Sequence, residues 1–110
     1  MLDEQQFRLK ADQTLERLHR ALLQASEEFD FETDFAGALT IEFEDPPAKF
    51  VISPNGPVRQ IWVSAHLRSS KLDWDPARET FVIPDTGQTL TEVVSDAVGR
   101  RLGRNIALGA

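Results

Sequence analysis

Three carboxylates alternate with aromatic residues in one short stretch of the sequence. The run from Phe29 to Phe35 reads Phe-Asp-Phe-Glu-Thr-Asp-Phe. Neighbouring side chains of an extended chain point to opposite sides, so the run predicts a strand with one aromatic face and one face carrying Asp30, Glu32 and Asp34. Carboxylates two residues apart on such a face stand about 7 Å from one another. Their mutual repulsion favours a bound cation, and oxygen ligands suit Fe(II), Mn(II), Mg(II) or Ca(II).

The same pattern has a second interpretation. Edge strands commonly carry charged side chains, because charge discourages pairing with the edge of another sheet. The acidic run is therefore compatible with a weak, open metal site and also with a charged edge strand that binds nothing. Alternation alone leaves both interpretations open.

Length and composition limit the classes of protein to which the chain can belong. At 110 residues it fits one domain, which we expect to span residues 1–110. It has no cysteine, which excludes disulfides, thiol chemistry and an iron–sulfur cluster held by the chain itself. No apolar run approaches the roughly 20 residues that cross a bilayer, and the start lacks a secretory signal. We expect a soluble, cytoplasmic protein without membrane contact.

The charge is distributed unevenly. The net charge is −6, and the first fifty residues hold 12 acids and 5 bases whereas the rest hold 6 acids and 7 bases. An acidic surface argues against binding to a nucleic-acid backbone and favours metal cations or a basic protein partner.

Two helices are predicted at the two ends of the domain. Between about residues 3 and 28, apolar residues recur at spacings of three and four, after a candidate N-cap at Asp3. A second helix, over about 90–102, begins with a capping box formed by Thr89 and Glu92 and ends at Gly103. A tail, Asn105–Ala110, follows.

Strands are predicted between about residues 29 and 84. Gly37 permits a hairpin turn, after which Leu39, Ile41 and Phe43 alternate with polar residues. Turns are expected at Asp45–Pro47 and Pro54–Pro57, and a fourth strand from Val58 to His66. Two helices with apolar stripes cover one sheet face, which predicts an α+β fold: a two-layer sandwich with both helices on one face of an antiparallel sheet of about five to six strands.

An aromatic residue is predicted on the uncovered face of this sheet. In the fourth strand Trp62 shares its face with Gln60 and Ser64, while the apolar residues occupy the other side. A large exposed aromatic side chain favours contact with a partner. The alternative is that a loop folds over the ring.

Several segments, in order along residues 3–102, resemble the frataxin family in its bacterial CyaY branch. They are Phe7–Asp12 followed by Leu15, Gly37–Ile41, Val51-Ile52, Pro57, Gln60–Ser64, Asp73-Trp74 and Gly87–Leu90. The Gln60-Ile61-Trp62 segment is the most specific of them. The resemblance implies an α-β-β-β-β-β-α sandwich that binds iron and acts in iron–sulfur cluster assembly.

The resemblance also implies which residues serve that role. Iron, as Fe(II) or Fe(III), would be held weakly at the surface, and the metal-ligand candidates are Asp30, Glu32, Asp34, Glu27, Glu28 and Asp12. The implied partners are a cysteine desulfurase and an iron–sulfur scaffold protein, and the partner-binding candidates are Gln60, Trp62, Ser64 and Asn55. The implied protein is a monomer that can oligomerise with iron and that regulates the desulfurase or donates iron.

The sequence departs from the family pattern on the second half of the first helix. His19, Arg20, Leu23 and Gln24 stand where further acids are usual. Cations there lower the negative potential, so we expect fewer or weaker iron sites. We expect His19 and His66 to be surface residues, because no pattern of two histidines and one carboxylate is visible.

Two other functions remain open at this stage. One is a storage assembly with ferroxidase activity, in which closely placed carboxylates gather Fe(II) and promote its oxidation. The other is an acidic docking module that needs no metal. No nucleophile elbow or phosphate-binding loop is present, so we expect no enzyme beyond a weak ferroxidase.

Overall fold

The chain folds into two helices and one six-stranded antiparallel sheet. The structure, a computed structural model, describes residues 2–44 and 46–109. Its elements are α1 (Glu4–Ser26), β1 (Glu32–Ala36), β2 (Ala38–Phe43), β3 (Ala48–Asn55), β4 (Gln60–Ala65), β5 (Arg68–Asp75), β6 (Thr80–Val82) and α2 (Leu90–Leu102). The strands pair in chain order. The two-layer α+β sandwich is confirmed, with six strands and both helices packed on the sheet.

The helix ends follow from local hydrogen bonding. Asp3 caps α1 by accepting from the backbone N–H of Gln6, and Thr89 caps α2 in a reciprocal box with Glu92. Hydrogen bonds with Thr89 hold the pKa of Glu92 below its ordinary value, and the bond from the Thr89 backbone N–H has the largest effect. Both predicted caps are confirmed, although α1 is slightly shorter than expected. In the described part of the chain, neither helix is both long and apolar enough to cross a membrane.

The core lies between the helices and one face of the sheet. The strands contribute buried apolar residues to this core: Leu39, Ile41, Phe43, Phe50, Ile52, Ile61, Val63, Leu72 and Phe81. From α1 the core receives Phe7, Ala11, Leu15, Leu18 and Leu22. The opposite side of the sheet, here called the open face, carries the alternate residues of each strand.

Several predicted strand boundaries were wrong. β4 spans Gln60–Ala65, not Val58 to His66. β1 begins at Glu32, so Asp30 precedes the strand in the connection from α1. β3 continues through Pro54 to Asn55, where a turn was expected, and Asn55 pairs with Gln60. β5 begins at Arg68, whereas the sequence predicts only a short segment near Leu72–Trp74. The start of β5 was not recognised because the turn before it consists of His66 and Leu67. Both have positive φ, but neither is a glycine or asparagine, the residues that usually mark such a turn.

The tail returns to the core. Leu108 is buried, and its backbone N–H donates to Oγ of Ser95, a residue of α2, at 3.2 Å. The tail leaves α2 after Gly103, which has a φ of 72°, and Arg104 N–H donates to the Gly99 carbonyl at 3.0 Å. A Cβ at Gly99 would lie 2.7 Å from the Arg104 carbonyl oxygen, so the close approach requires glycine there. The predicted turn residue Asp45 and the last tail residue Ala110 lie outside the described residues.

Candidate functional site

The sheet pairing brings three carboxylates together at one corner of the open face. Glu32 of β1 is the direct partner of Glu42 of β2, and Asp34 follows two residues along, opposite Thr40. All three acids are exposed. Directly opposed side chains have Cβ atoms about 5 Å apart, so rotation of the Glu32 and Glu42 side chains can bring their carboxylates to one cation. We call Glu32, Asp34 and Glu42 the acidic patch.

One lysine partly offsets the charge of this patch. Lys49 of β3 is the strand partner of Glu42, and its Nζ lies 3.6 Å from Glu42 Oε1. Like charges placed opposite each other destabilise a sheet, and the lysine reduces that repulsion. The pair is exposed and therefore weak. A cation that displaced Lys49 would find oxygen ligands of the type that hard metal ions prefer.

The other predicted metal ligands are not gathered with these. Asp12 is exposed midway along α1, Glu27 is its C-cap, and Glu28 and Asp30 are exposed in the connection to β1. Within residues 2–44 and 46–109, no three His, Asp or Glu side chains form a group that could hold a metal ion as they stand. Binding at the acidic patch therefore requires side-chain rotation or water as additional ligands, which suits a weak surface site.

A second patch surrounds Trp62 at the other end of the open face. The indole Nε1 donates to Gln60 Oε1 at 3.0 Å, and Gln60 Nε2 donates to Asp73 Oδ1 at 3.0 Å. Lys71 Nζ lies 4.9 Å from the centre of the Trp62 ring. Asn55 is the strand partner of Gln60. We call Asn55, Gln60, Trp62, Lys71 and Asp73 the tryptophan patch.

The tryptophan patch holds its aromatic ring in place without covering it. Trp62 is 36% exposed, and no loop folds over it among the described residues. Both ends of the Gln60 amide are hydrogen-bonded, so the amide orientation and the indole direction are fixed together. An ordered, exposed ring loses little conformational entropy on binding a partner, which suits a contact anchor.

The four predicted partner-binding residues lie on the same face. Gln60, Trp62 and Ser64 alternate along β4, and Asn55 joins them from β3. Ser64 is opposite Val51, Val51 is opposite Thr40, and Thr40 is opposite Asp34. Ser64 therefore lies in the row of residues that connects the tryptophan patch with the acidic patch.

The prediction that both histidines are surface residues was wrong, because each is half-buried. His19 packs against Phe35 with ring centres 6.1 Å apart, and its Nε2 has no partner in the described part of the chain. His66 Nε2 lies 2.8 Å from the Ala97 carbonyl oxygen, which can only accept, so this nitrogen carries the proton. Neither histidine belongs to the acidic patch.

Sequence reasoning missed three residues of the two patches. Glu42 was predicted on the polar side of β2, but its position opposite Glu32 depends on register. That register follows from the turn at Gly37, because Ala36 pairs with Ala38 across it. Lys71 was missed because β5 was predicted only from about Leu72. Asp73 lies within that predicted segment, but its contact with Gln60 depends on the pairing of β4 with β5.

Two helices pack on one side of the six-stranded antiparallel sheet, and acids and an ordered tryptophan lie on the other. This arrangement defines a two-layer α+β sandwich with one bare sheet face. Comparison with known proteins identifies the family. A model of the Frataxin-like domain matches residues 1–104. The chain belongs to this frataxin-like family.

Curated bacterial relatives agree with this assignment. An iron-sulfur cluster assembly protein CyaY from Dechloromonas aromatica is 29% identical over 103 residues, covering 92% of this chain and 97% of the relative. A protein of the same name from Thioalkalivibrio sulfidiphilus is 30% identical over 107 residues, covering 93% and 95%. The solved frataxin from Psychromonas ingrahamii superposes with a TM-score of 0.82 at 18% identity, covering 96% of this chain and 97% of that one. That likeness establishes the shared fold.

Proposed function

We propose that this protein acts in iron–sulfur cluster assembly, as an iron-binding component without a catalytic centre of its own. The observation that carries the proposal is the open face, on which the acidic patch and the tryptophan patch lie in one sheet. The names of the bacterial relatives support the pathway. Within it, the protein regulates the cysteine desulfurase and scaffold or supplies iron to them, in the cytoplasm.

Iron is the cargo in this proposal. Glu32, Asp34 and Glu42 would hold Fe(II) through carboxylate oxygens, with water as further ligands. Asp12, Glu27, Glu28 and Asp30 would add negative potential along the α1 side, and Asp30 remains a ligand candidate despite preceding the strand. Binding would be weak, because Lys49 competes for Glu42 and because Arg20 stands on the part of α1 where family members carry acids.

The tryptophan patch is the proposed contact for the scaffold or the desulfurase. Its ring is ordered and exposed, as the anchors of interfaces are. The acidic patch would attract a basic protein surface and speed the encounter. One face could thus hold both iron and a partner, which places the cargo beside the protein that receives it.

The two alternatives have less support. A ferroxidase storage assembly needs carboxylates that bridge iron ions, and within the described residues no three metal-binding side chains are so grouped. An acidic docking module would use the same two patches without iron. Iron binding and partner binding must be measured on the same variants to distinguish a metal-independent docking module from the proposed iron-binding component.

The experiment compares two charge-matched double variants. Glu32→Gln/Asp34→Asn removes two carboxylates from the acidic patch, and Glu79→Gln/Asp85→Asn removes two exposed carboxylates elsewhere. Each is tested for Fe(II) binding under anaerobic conditions and for binding to purified cysteine desulfurase. The rate of cluster formation on the scaffold protein is measured in parallel.

We expect the acidic-patch variant to lose Fe(II) affinity and to change the cluster-formation rate, and the control variant to behave as the parent. Loss of desulfurase binding with unchanged Fe(II) affinity would contradict the iron role and favour the docking module. Parent-like cluster formation in both variants, at every iron concentration, would overturn the proposed function of this face.

A further inference from the structure

A cleft of about 720 Å³ lies on the helix side of the sheet, away from both patches. One wall is the end of the β4–β5 hairpin, which contributes Arg68 and Ser70, and the other is α2, which contributes Arg100. Val63, Ala65 and Val93 add apolar surface. A volume of this size suits a small molecule, and the lining combines apolar residues with polar and charged ones.

Polar residues interrupt the core pattern at this cleft. The helix-facing positions of β2, β3 and β4 are buried and apolar over most of their length. On β5 the corresponding positions opposite Val63 and Ala65 are occupied by Ser70 and Arg68. A local departure from the packing rule is expected where a site serves function rather than stability.

Two of the three arginines that line the cleft have no protein partner among the described residues. Neither Arg68 nor Arg100 makes a hydrogen bond or ion pair with any residue in the ranges 2–44 and 46–109. The one acid in the lining, Asp96, accepts from Gln88 Nε2 at 2.6 Å. Arg104 also lines the cleft, but its guanidinium stacks over the Phe29 ring at 5.3 Å. The cleft is therefore lined by two exposed arginines without a protein partner and by one carboxylate that is already hydrogen-bonded, on a chain whose net charge is −6.

The hairpin turn that presents this wall is strained. His66 and Leu67 have φ of 52° and 65°, in a region that residues with a side chain rarely adopt. The hydrogen bond of His66 Nε2 to the Ala97 carbonyl ties the turn to α2 at 2.8 Å. Strained turns that neighbouring contacts hold in place are found preferentially at functional sites.

We propose that this cleft binds a small organic anion, whose carboxylate or phosphate group pairs with Arg68 and Arg100 and whose apolar part lies against Val63, Ala65 and Val93. Guanidinium groups suit both kinds of oxyanion, because their donors match two oxygens at once. The site is separate from the open face and does not depend on iron binding.

The test is a titration of the metal-free protein, followed by backbone amide NMR. Phenyl phosphate and benzoate serve as probes of the two oxyanion types, and inorganic phosphate tests charge alone. The variants are Arg68→Gln and Arg100→Gln, each compared with Arg17→Gln. Arg17 is an exposed arginine of α1 that makes no ion pair or hydrogen bond within residues 2–44 and 46–109. Thermal unfolding of each variant checks that it is folded.

We expect phenyl phosphate or benzoate to shift the amides of Ser70, Ala97 and Ile106, and inorganic phosphate to bind more weakly. The tighter of the two aromatic probes identifies the oxyanion. Arg68→Gln and Arg100→Gln should each weaken binding by about tenfold, the order expected for one charge-assisted hydrogen bond, and Arg17→Gln should not. Equal binding by all three variants, or no shift at about 10 mM probe, would overturn the proposal.

Discussion

Trp62 and Gln60 form a hydrogen-bonded pair on one face of β4, with the indole N–H 3.0 Å from the amide oxygen. Because the Gln60 amide also donates to Asp73 on β5, the pair is fixed by a neighbouring strand. The ring is therefore ordered before any partner arrives. The proposed contact role of Trp62 can therefore be tested separately from its contribution to folding.

Replacement of Trp62 by alanine should weaken scaffold or desulfurase binding by about thirtyfold, the loss typical of an aromatic anchor at an interface. The free energy of unfolding should change by no more than about 1 kcal/mol, because the ring is partly exposed. Calorimetric titration and urea unfolding measure the two quantities. Val58→Ala, an exposed apolar residue outside the patch, is the control. Unchanged partner affinity in Trp62→Ala would remove the tryptophan patch from the interface.

Leu108→Ala should destabilise the protein by about 2 kcal/mol or more, because it leaves a cavity in the core. Truncation after Arg104 should lower the melting temperature further, since it also removes the hydrogen bond to Ser95. Leu67→Ala provides a matched control, because Leu67 is fully exposed at 109%. Denaturant unfolding measures all three, and equal stability of the two leucine variants would mean that the tail is frayed.

Gly99→Ala should destabilise the protein by about 2 kcal/mol, although alanine normally stabilises a helix relative to glycine. The added Cβ would lie 2.7 Å from the Arg104 carbonyl, which belongs to the backbone and cannot rotate away. Gly56→Ala is the comparison, because its Cβ meets only the flexible Glu4 side chain at 3.3 Å. If Gly99→Ala were as stable as Gly56→Ala in thermal unfolding, the tail would be able to shift away from α2 at little cost.

The capping box of α2 should make stability depend on pH. The hydrogen bonds from Thr89 lower the pKa of Glu92 in the folded protein, so the stabilisation is present above the ordinary value of 4.5 and is lost as the pH falls through the folded pKa. Glu92→Gln should therefore melt below the parent at pH 7. The difference should shrink in acid. Melting curves at pH 7 and in acid check this. A difference in melting temperature between the parent and Glu92→Gln that grows in acid would contradict the prediction.

The helices and the faces of the sheet were predictable from the sequence because they depend on local patterns. Apolar spacing gave α1, and the Thr89–Glu92 box gave the start of α2. Alternation assigned Trp62 to the open face, and the structure confirms that assignment. These features require only neighbours within a few residues.

Features that depend on register or on distant contacts were not predictable in the same way. The pairing of Glu32 with Glu42 requires the register of β1 against β2, and the hydrogen bond from Gln60 to Asp73 requires the start of β5. That start follows a turn of His66 and Leu67, which lack turn-forming side chains. The contact of His66 with Ala97 spans 31 residues of sequence, so local patterns did not predict it.

The most direct test of the iron role is an anaerobic titration of Fe(II) into the isotope-labelled protein, followed by backbone amide NMR. The proposed site predicts that the amides of Glu32, Asp34 and Glu42 broaden first, and that Glu32→Gln/Asp34→Asn abolishes this broadening while Glu79→Gln/Asp85→Asn retains it. Magnesium, which is not paramagnetic, should give no such broadening. Sharp signals at these three residues with about 1 mM Fe(II) present would contradict iron binding at the acidic patch.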